Sequence, residues 1–245
     1  MNLQDISFPT TKENILFDDV LLALAEEGQG GEVLRFWESS DTAVVLGRIG
    51  QWEHDVHVHA VRRDNIMVLR RSSGGGTVVQ GPGCLNFSFI LSKDRHTSIH
   101  DLKRSYQYIL SHVMEALSAQ GFKAEFKPIS DLAVQGSDKK FSGNAQKRGR
   151  KFILHHGTIL YDFDLELVAA YLKFPKDVPE YRRGRSHLDF VANIPVEIDR
   201  FKKDLGGRFG ITTVERNLGS VETEKLMDFL ENKDVTVNLA EFSGI

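Results

Sequence analysis

Residues 70–78 read Arg-Arg-Ser-Ser-Gly-Gly-Gly-Thr-Val, and this run constrains the chain more than any other. It lies between two strand candidates, Ile66 to Arg70 and Leu85 to Leu91, so the backbone must leave one strand and enter another through consecutive glycines. Such a loop lets main chain approach a ligand closely, and its N–H groups can form an anion-binding nest. A flexible turn with solvated arginines is the plain alternative. The paired Arg70 and Arg71 favour ligand binding, because their planar, permanently charged forks suit phosphate or carboxylate. No Gly-Lys-Ser/Thr follows, so the run is not a P-loop, and it lacks the dinucleotide-binding fingerprint.

The rest of the 245-residue chain predicts mixed elements. Leu16, Val20 and Leu24 recur every fourth residue, giving a helix that ends near Gly28. Val33 to Trp37 and Thr42 to Leu46 read as a hairpin. Residues 55–63 fit strand and helix equally. Leu102, Tyr106, Ile109, Val113 and Leu117 form one stripe of a helix over 101–120. Strands are expected at 123–127, 140–146 and 151–161, a helix from Asp164, and two more helices carrying Ile198, Phe201 and Leu205, then Val221, Leu226 and Phe229. Hairpins mixed with helices favour an α+β domain on a mixed sheet over a doubly wound fold.

Composition excludes several classes. A net charge of −3, with 41 % hydrophobic residues, fits a globular, soluble protein and gives no bulk attraction to nucleic acid. No window is apolar enough for a membrane span, and the first residues lack the pattern of a secretory signal. The single cysteine, Cys84, rules out an intramolecular disulfide and a Cys-based zinc site, and fits a cytoplasmic compartment. His54, His57 and His59 lack a convincing ligand geometry, and adjacent His155 and His156 face opposite sides of a strand.

Two further segments bear on chemistry. In Lys139-Lys140-Phe141-Ser142-Gly143-Asn144-Ala145-Gln146, a strand lysine followed by small residues can aim its ammonium at developing negative charge. His155-His156-Gly157-Thr158 forms the second. Together with Val45-Leu46-Gly47-Arg48, the glycine loop continuing to Leu85-Asn86-Phe87-Ser88, and Ser130-Asp131-Leu132, these segments resemble the lipoate–protein ligase family, within the wider biotin/lipoate ligase and octanoyltransferase group. The likeness runs from about residue 14 to about residue 195.

The resemblance implies an α+β fold with a central mixed sheet flanked by helices, related to the catalytic core of class II aminoacyl-tRNA synthetases. It implies a catalytic domain over 1–195 and a helical extension, 196–245, packed on it. Lys140 matches the family's essential lysine. Arg70, Arg71, Ser73, Gly74, Gly75 and Gly76 would wrap the phosphate and acyl chain, with Asn86 behind them. Asp131 would stand near phosphate and Mg2+, Gly143 would belong to the substrate- and nucleotide-binding set, and Gly157 and Thr158 would close the far wall. The implied reaction activates lipoate with ATP as an acyl adenylate and transfers the lipoyl group to a lysine of a lipoyl carrier domain. That domain belongs to a 2-oxoacid dehydrogenase or a glycine-cleavage H-type protein.

Gln80 stands where the family often has histidine, and Cys84 where an acid or amide is commoner. The short C-terminal remainder points to an accessory domain on a separate polypeptide. A transferase taking its acyl group from a carrier thioester is the alternative, and a non-catalytic lipoate-binding member is a third reading. The run Tyr181-Arg182-Arg183-Gly184-Arg185 is expected to dock an acidic carrier or to fold back on phosphate.

Overall fold

The computed structural model describes residues 1–211 and 213–239. In chain order the elements are β1 (Asn2–Asp5), α1 (Thr11–Glu27), β2 (Val33–Trp37), β3 (Ala43–Leu46), α2 (Trp52–Asp55), α3 (Val58–Arg63), β4 (Met67–Arg70), β5 (Val78–Gln80) and β6 (Cys84–Ser92). They continue with α4 (Leu102–Ser118), β7 (Ala124–Lys127), β8 (Asp131–Val134), β9 (Lys140–Arg148), β10 (Phe152–Leu160), α5 (Glu166–Tyr171), α6 (His187–Phe190), α7 (Ile198–Arg208), β11 (Val214–Glu215) and α8 (Ser220–Asn232).

Eight strands form one mixed sheet in the order β11-β1-β2-β6-β10-β9-β8-β7, and β4-β3-β5 form a second, smaller sheet. This is the α+β arrangement expected. Alternation along β6 and β10 sorts the layers. Leu85, Phe87, Phe89, Ile153 and Ile159 meet Ile109, Val113 and Leu117 of α4 and Phe201 and Leu205 of α7. Ile90 and Leu154 point to the opposite side, onto Leu16, Val20 and Leu24 of α1 and Leu226 and Phe229 of α8. The extension expected over 196–245 includes residues 212 and 240–245, which lie outside the described residues.

The expected hairpin between β2 and β3 does not form. β2 pairs with β1 and β6 in the large sheet, whereas β3 pairs with β4 and β5 in the small one. Both strands are buried along their whole length and take a neighbour on each edge. The intervening acids act elsewhere. Asp41 accepts from the Thr11 N–H and hydroxyl at the start of α1, and Glu38 accepts from the Gly83 N–H. Of residues 55–63, Val58–Arg63 form helix α3, while Val56 makes an isolated antiparallel bridge with Leu172. β8, for which the sequence offered no separate strand signal, is a four-residue strand between β7 and β9.

His155 lies wholly inside the α4 layer, near the rings of Phe87, Phe89 and Tyr106. Gln146 Nε2 lies 3.1 Å from its Nδ1, while its Nε2 has no partner among the described residues. Burial, with a smaller push from His156, lowers its pKa to about 3. The folded state therefore keeps this ring neutral where the unfolded chain, with a value near 6.5, takes up a proton. Stability should fall as pH drops below about 6.5, by about 2 kcal/mol from this group between about pH 7 and pH 5. Denaturant titrations of wild type and His155→Phe at the two pH values check this; equal pH dependence would refute it.

Candidate functional site

The face of the large sheet that carries Leu154 and Ile90 also carries the polar residues, in two cross-strand rows. Arg35, Ser88, His156 and Ala145 stand opposite one another on β2, β6, β10 and β9. One step along the strands come Trp37, Asn86 and Thr158, with Gly143 N donating to Thr158 Oγ1 at 3.3 Å. Gly143 in turn faces Asp131 of β8.

A register shift gives Lys140 its place. Leu132 pairs with Ser142 but Ala133 pairs with Lys140, so the strands slip past Phe141. The bulge lets Phe141 enter the α4 layer while Lys140 lies on the same side as Gly143. The Lys140 stem crosses the glycine so closely that a Cβ there would meet Nζ at 3.0 Å and Cε at 3.1 Å. Lys140 Nζ lies 2.8 Å from Asp131 Oδ1. Tyr181 donates its hydroxyl to Asp131 Oδ2 at 2.7 Å.

The glycine loop folds down over β9, where a Cβ on Gly75 would sit 3.6 Å from that of Ala145. Gly75 has φ +84°, a conformation that glycine accommodates readily. Arg71 holds the loop's shape. Its Nη2 donates to Gly74 O and Gly76 O at 2.7 Å each, its Nη1 to Val45 O, and its Nε to Ser73 Oγ at 3.1 Å. Burial lowers its pKa to about 10. Arg70 Nη1 donates to the carbonyls of Gly47, Arg48 and Gly50. The paired arginines expected to grip a ligand thus spend much of their donor capacity on loop carbonyls. Gly47 completes the loop's seat: a Cβ there would lie 2.0 Å from Gly75 O.

Under the loop, Ser73 Oγ lies 2.6 Å from His156 Nε2, and His156 Nδ1 lies 3.8 Å from Asp18 Oδ2. The residue types are those of a nucleophilic triad, but Ser73 is 1 % exposed and its oxygen also accepts from Arg71. The geometry anchors the loop. Asp18 is buried with Arg35, at 2.7 Å, and accepts from Ser88 Oγ and Trp37 Nε1. Burial opposes its charge, but Arg35, His156 and Ser88 together hold its carboxyl below the usual range. Beside it, Asp19 bonds Ser72 Oγ and pairs with Lys147 at 3.1 Å.

Not every expected residue is open to this surface. Gly157 is turned towards the α4 layer, where a Cβ would lie 1.8 Å from Asn144 Oδ1. Asn144 uses that room to donate to Ser130 O at 2.8 Å, and Ser130 Oγ donates to Asn144 O at 2.7 Å. Asn86 is tied to Gln80, as donor at 3.0 Å and acceptor at 2.9 Å. Cys84 is wholly buried, and burial drives its thiol pKa sharply upward. Among the described residues, no group of three or more His, Cys, Asp or Glu could hold a metal ion.

Internal contacts occupy two of the three arginines of the basic loop. Arg182 is buried over Phe174 and Phe190, and Arg185 donates to the carbonyls of Asp138, Tyr181 and Arg182. Arg183, 75 % exposed, is the member left facing outward. The sequence reading passed over Asp18 and Arg35, and it quoted Gly47 and Tyr181 without the roles they take here. A charge inside the apolar run Val33 to Trp37 was the available signal for Arg35.

Residues 10–209 match the profile of the lipoyl protein ligase A/B catalytic domain. Lipoate-protein ligase LplJ of Bacillus subtilis is 35 % identical over 157 residues, which are 64 % of this chain and 45 % of the relative. Lipoate–protein ligase 1 of Staphylococcus aureus is 32 % identical over 180 residues, 71 % of this chain and 53 % of the relative. The chain thus spans about half the length of the curated relatives it matches. A bipartite lipoate protein ligase from Thermoplasma acidophilum, studied with its E2 lipoyl domain, superposes with a TM-score of 0.80 at 24 % identity, over 95 % of this chain and 92 % of that one. Lipoate-protein ligase A bound with ATP gives 0.77 at 24 % identity, over 95 % and 94 %. With a profile that spans most of its length and carries both the glycine loop and the Lys140 strand, the chain belongs to the lipoyl protein ligase A/B catalytic-domain family.

Proposed function

We propose that this chain is the catalytic part of a lipoate–protein ligase, which activates lipoate with ATP and passes the lipoyl group to a lysine of a lipoyl carrier domain. The observation that carries the reading is the Lys140 ammonium, bulged onto the site face beside Gly143 and held by Asp131. Attack of a carboxylate on the α-phosphate builds negative charge, and attack of the acceptor amine builds it on the acyl carbonyl. A fixed cation with backbone N–H groups from Gly74 to Gly76 nearby would stabilise both. ATP and lipoate are the ligands named for neighbouring structures of the same fold.

Both Asp131 oxygens are engaged, by Lys140 and Tyr181. A Mg2+ ion here would therefore travel mainly on nucleotide phosphates and borrow Asp131 as a single carboxylate, which suits that ion's ordinary coordination. Residues 1–195 would form the catalytic domain, with 196–245 as its extension. The acceptor domain, a second polypeptide as in the Thermoplasma bipartite ligase, and a cytoplasmic setting are parts of the same proposal. The thioester-transferase alternative has little support from Cys84, since a buried thiol with a raised pKa is a poor nucleophile. A binding module would have little need of a clamped lysine.

Pyrophosphate release from ATP with lipoate or octanoate and no acceptor tests the reading; no release with either acid, alone or with a partner polypeptide, would sink it. Lys140→Ala should lower acyl transfer about 10²–10³-fold with unchanged thermal stability. Lys139→Ala should retain near wild-type rates, and an exchange of these two phenotypes would reject Lys140. Gly47→Ala should displace the glycine loop, because its Cβ would overlap Gly75 O. Calorimetry should then show weakened binding of ATP and acid alike. Wild-type affinity in that variant would remove the loop from the site.

A further inference from the structure

Tyr181 lies outside the motifs quoted for the family likeness, in a three-residue 3-10 helix (Glu180–Arg182) between α5 and α6. Even so, its hydroxyl reaches Asp131 Oδ2 at 2.7 Å, while Asp131 Oδ1 holds Lys140 Nζ at 2.8 Å. We propose that Tyr181 is a positioning residue for Lys140, acting through Asp131. This rests on the reading of Lys140 as the cation of the reaction.

A carboxylate bonded at one oxygen alone can rotate about its χ angles and carry the lysine with it. A second bond, at the other oxygen and from a different segment, removes that freedom. The flexible lysine stem then loses less entropy when it meets the transition state. The tyrosine is suited to the task because it is itself held. Its ring packs on Phe190, with centroids 5.3 Å apart, and its carbonyl accepts from Arg185 Nη2 at 2.9 Å. Arg185 also donates to Asp138 O at 3.0 Å, which ties the stretch to the end of the β8–β9 turn. Arg182, buried over Phe174 and Phe190, fastens the other side and donates to Arg185 O. Next to the clamp, Ala192 N donates to Lys140 O at 2.9 Å. Burial first, and the Asp131 charge second, push the Tyr181 pKa upward, so the phenol keeps the proton it donates.

The backbone under Asp131 is fixed independently. Asn144 and Ser130 exchange two hydrogen bonds there, in the space that Gly157 leaves open. Asp131 therefore has a fixed Cα, and what the tyrosine adds is the orientation of the carboxylate. This also gives the basic run a purpose that neither docking nor phosphate binding supplied. Arg182 and Arg185 build the strut from which Tyr181 reaches the site.

Tyr181→Phe keeps the ring and removes the donor. Its kcat for pyrophosphate release should fall about tenfold, as expected for losing a hydrogen bond to a charged group, while the KM for ATP stays near the wild-type value. In an Asp131→Asn background the same substitution should have almost no further effect, because the two act in one chain. Two effects that simply multiply would overturn the proposal. A second readout needs no turnover. An amine-directed acylating reagent, followed by peptide mass mapping of the substrate-free protein, reports how freely Lys140 moves. Lys140 should label severalfold faster in Tyr181→Phe than in wild type, with exposed Lys203 as the internal reference. An unchanged labelling ratio would mean that Tyr181 does not hold the lysine. If Lys140→Ala retained full activity, the catalytic reading would fail, yet the labelling ratio would still decide whether the clamp exists.

Discussion

The buried pair of Asp18 and Arg35 is the contact on which the site's construction depends. Arg35 is wholly enclosed, and its guanidinium donates to Asp18, to Ile6 O and to both Asn14 O and Asn14 Oδ1. The rings of Phe8, Phe17 and Trp37 surround it. A buried charge pair is not a strong source of stability, since desolvation offsets much of the attraction, but removing one partner costs about 3–5 kcal/mol. Its value here is registration. It fixes α1 against β2, and through Ser88 and His156 it reaches β6, β10 and the glycine loop. Five segments of the chain are thereby placed on one face of the sheet.

From that anchor the face divides into two parts with different construction. At one end, backbone is shaped by arginines: Arg71 gathers Val45, Gly74 and Gly76 carbonyls, and Arg70 gathers those of Gly47, Arg48 and Gly50. At the other, a side chain is aimed by carboxylate and phenol. Gly143 and Ala145 lie between them, both small, so nothing from β9 fills the gap. A loop offering N–H groups and a lysine offering charge can then approach one ligand from two sides.

Much of this was legible in the sequence, and what was not has a physical cause. Helical stripes such as Leu102 to Leu117 and the strand candidates at 140–146 and 151–161 were readable because burial imposes a period on one chain segment. The pairing of β2 with β6 rather than β3 was not, because partner choice is set by residues far away, and the acids between the two strands bond N–H groups at the start of α1 and before β6. The glycine loop stood out through local chemistry, whereas Lys140 and Asp131 were singled out by the family resemblance. The link from Tyr181 to Asp131 did not stand out, since the two lie 50 residues apart in sequence. The bulge that seats Lys140 is equally silent in sequence, because it arises from a mismatch between β8 and β9.

The arginines show how one residue type can serve more than one role. Both arginine-rich runs suggested ligand anions, since the guanidinium fork matches phosphate. In the fold, Arg70, Arg71, Arg182 and Arg185 instead meet carbonyl oxygens of irregular backbone. The same five donors that suit an anion also suit a loop whose carbonyls converge, and a loop lacking helix or sheet partners must satisfy those carbonyls somewhere. Glycine-rich and turn-rich segments therefore call for arginine twice over, once for ligands and once for themselves. Because these four arginines serve the loops, the proposed attraction for anionic substrates rests on Lys140 and on the N–H groups of the loop that Arg71 shapes. Precision at the site then depends on how firmly those two are held.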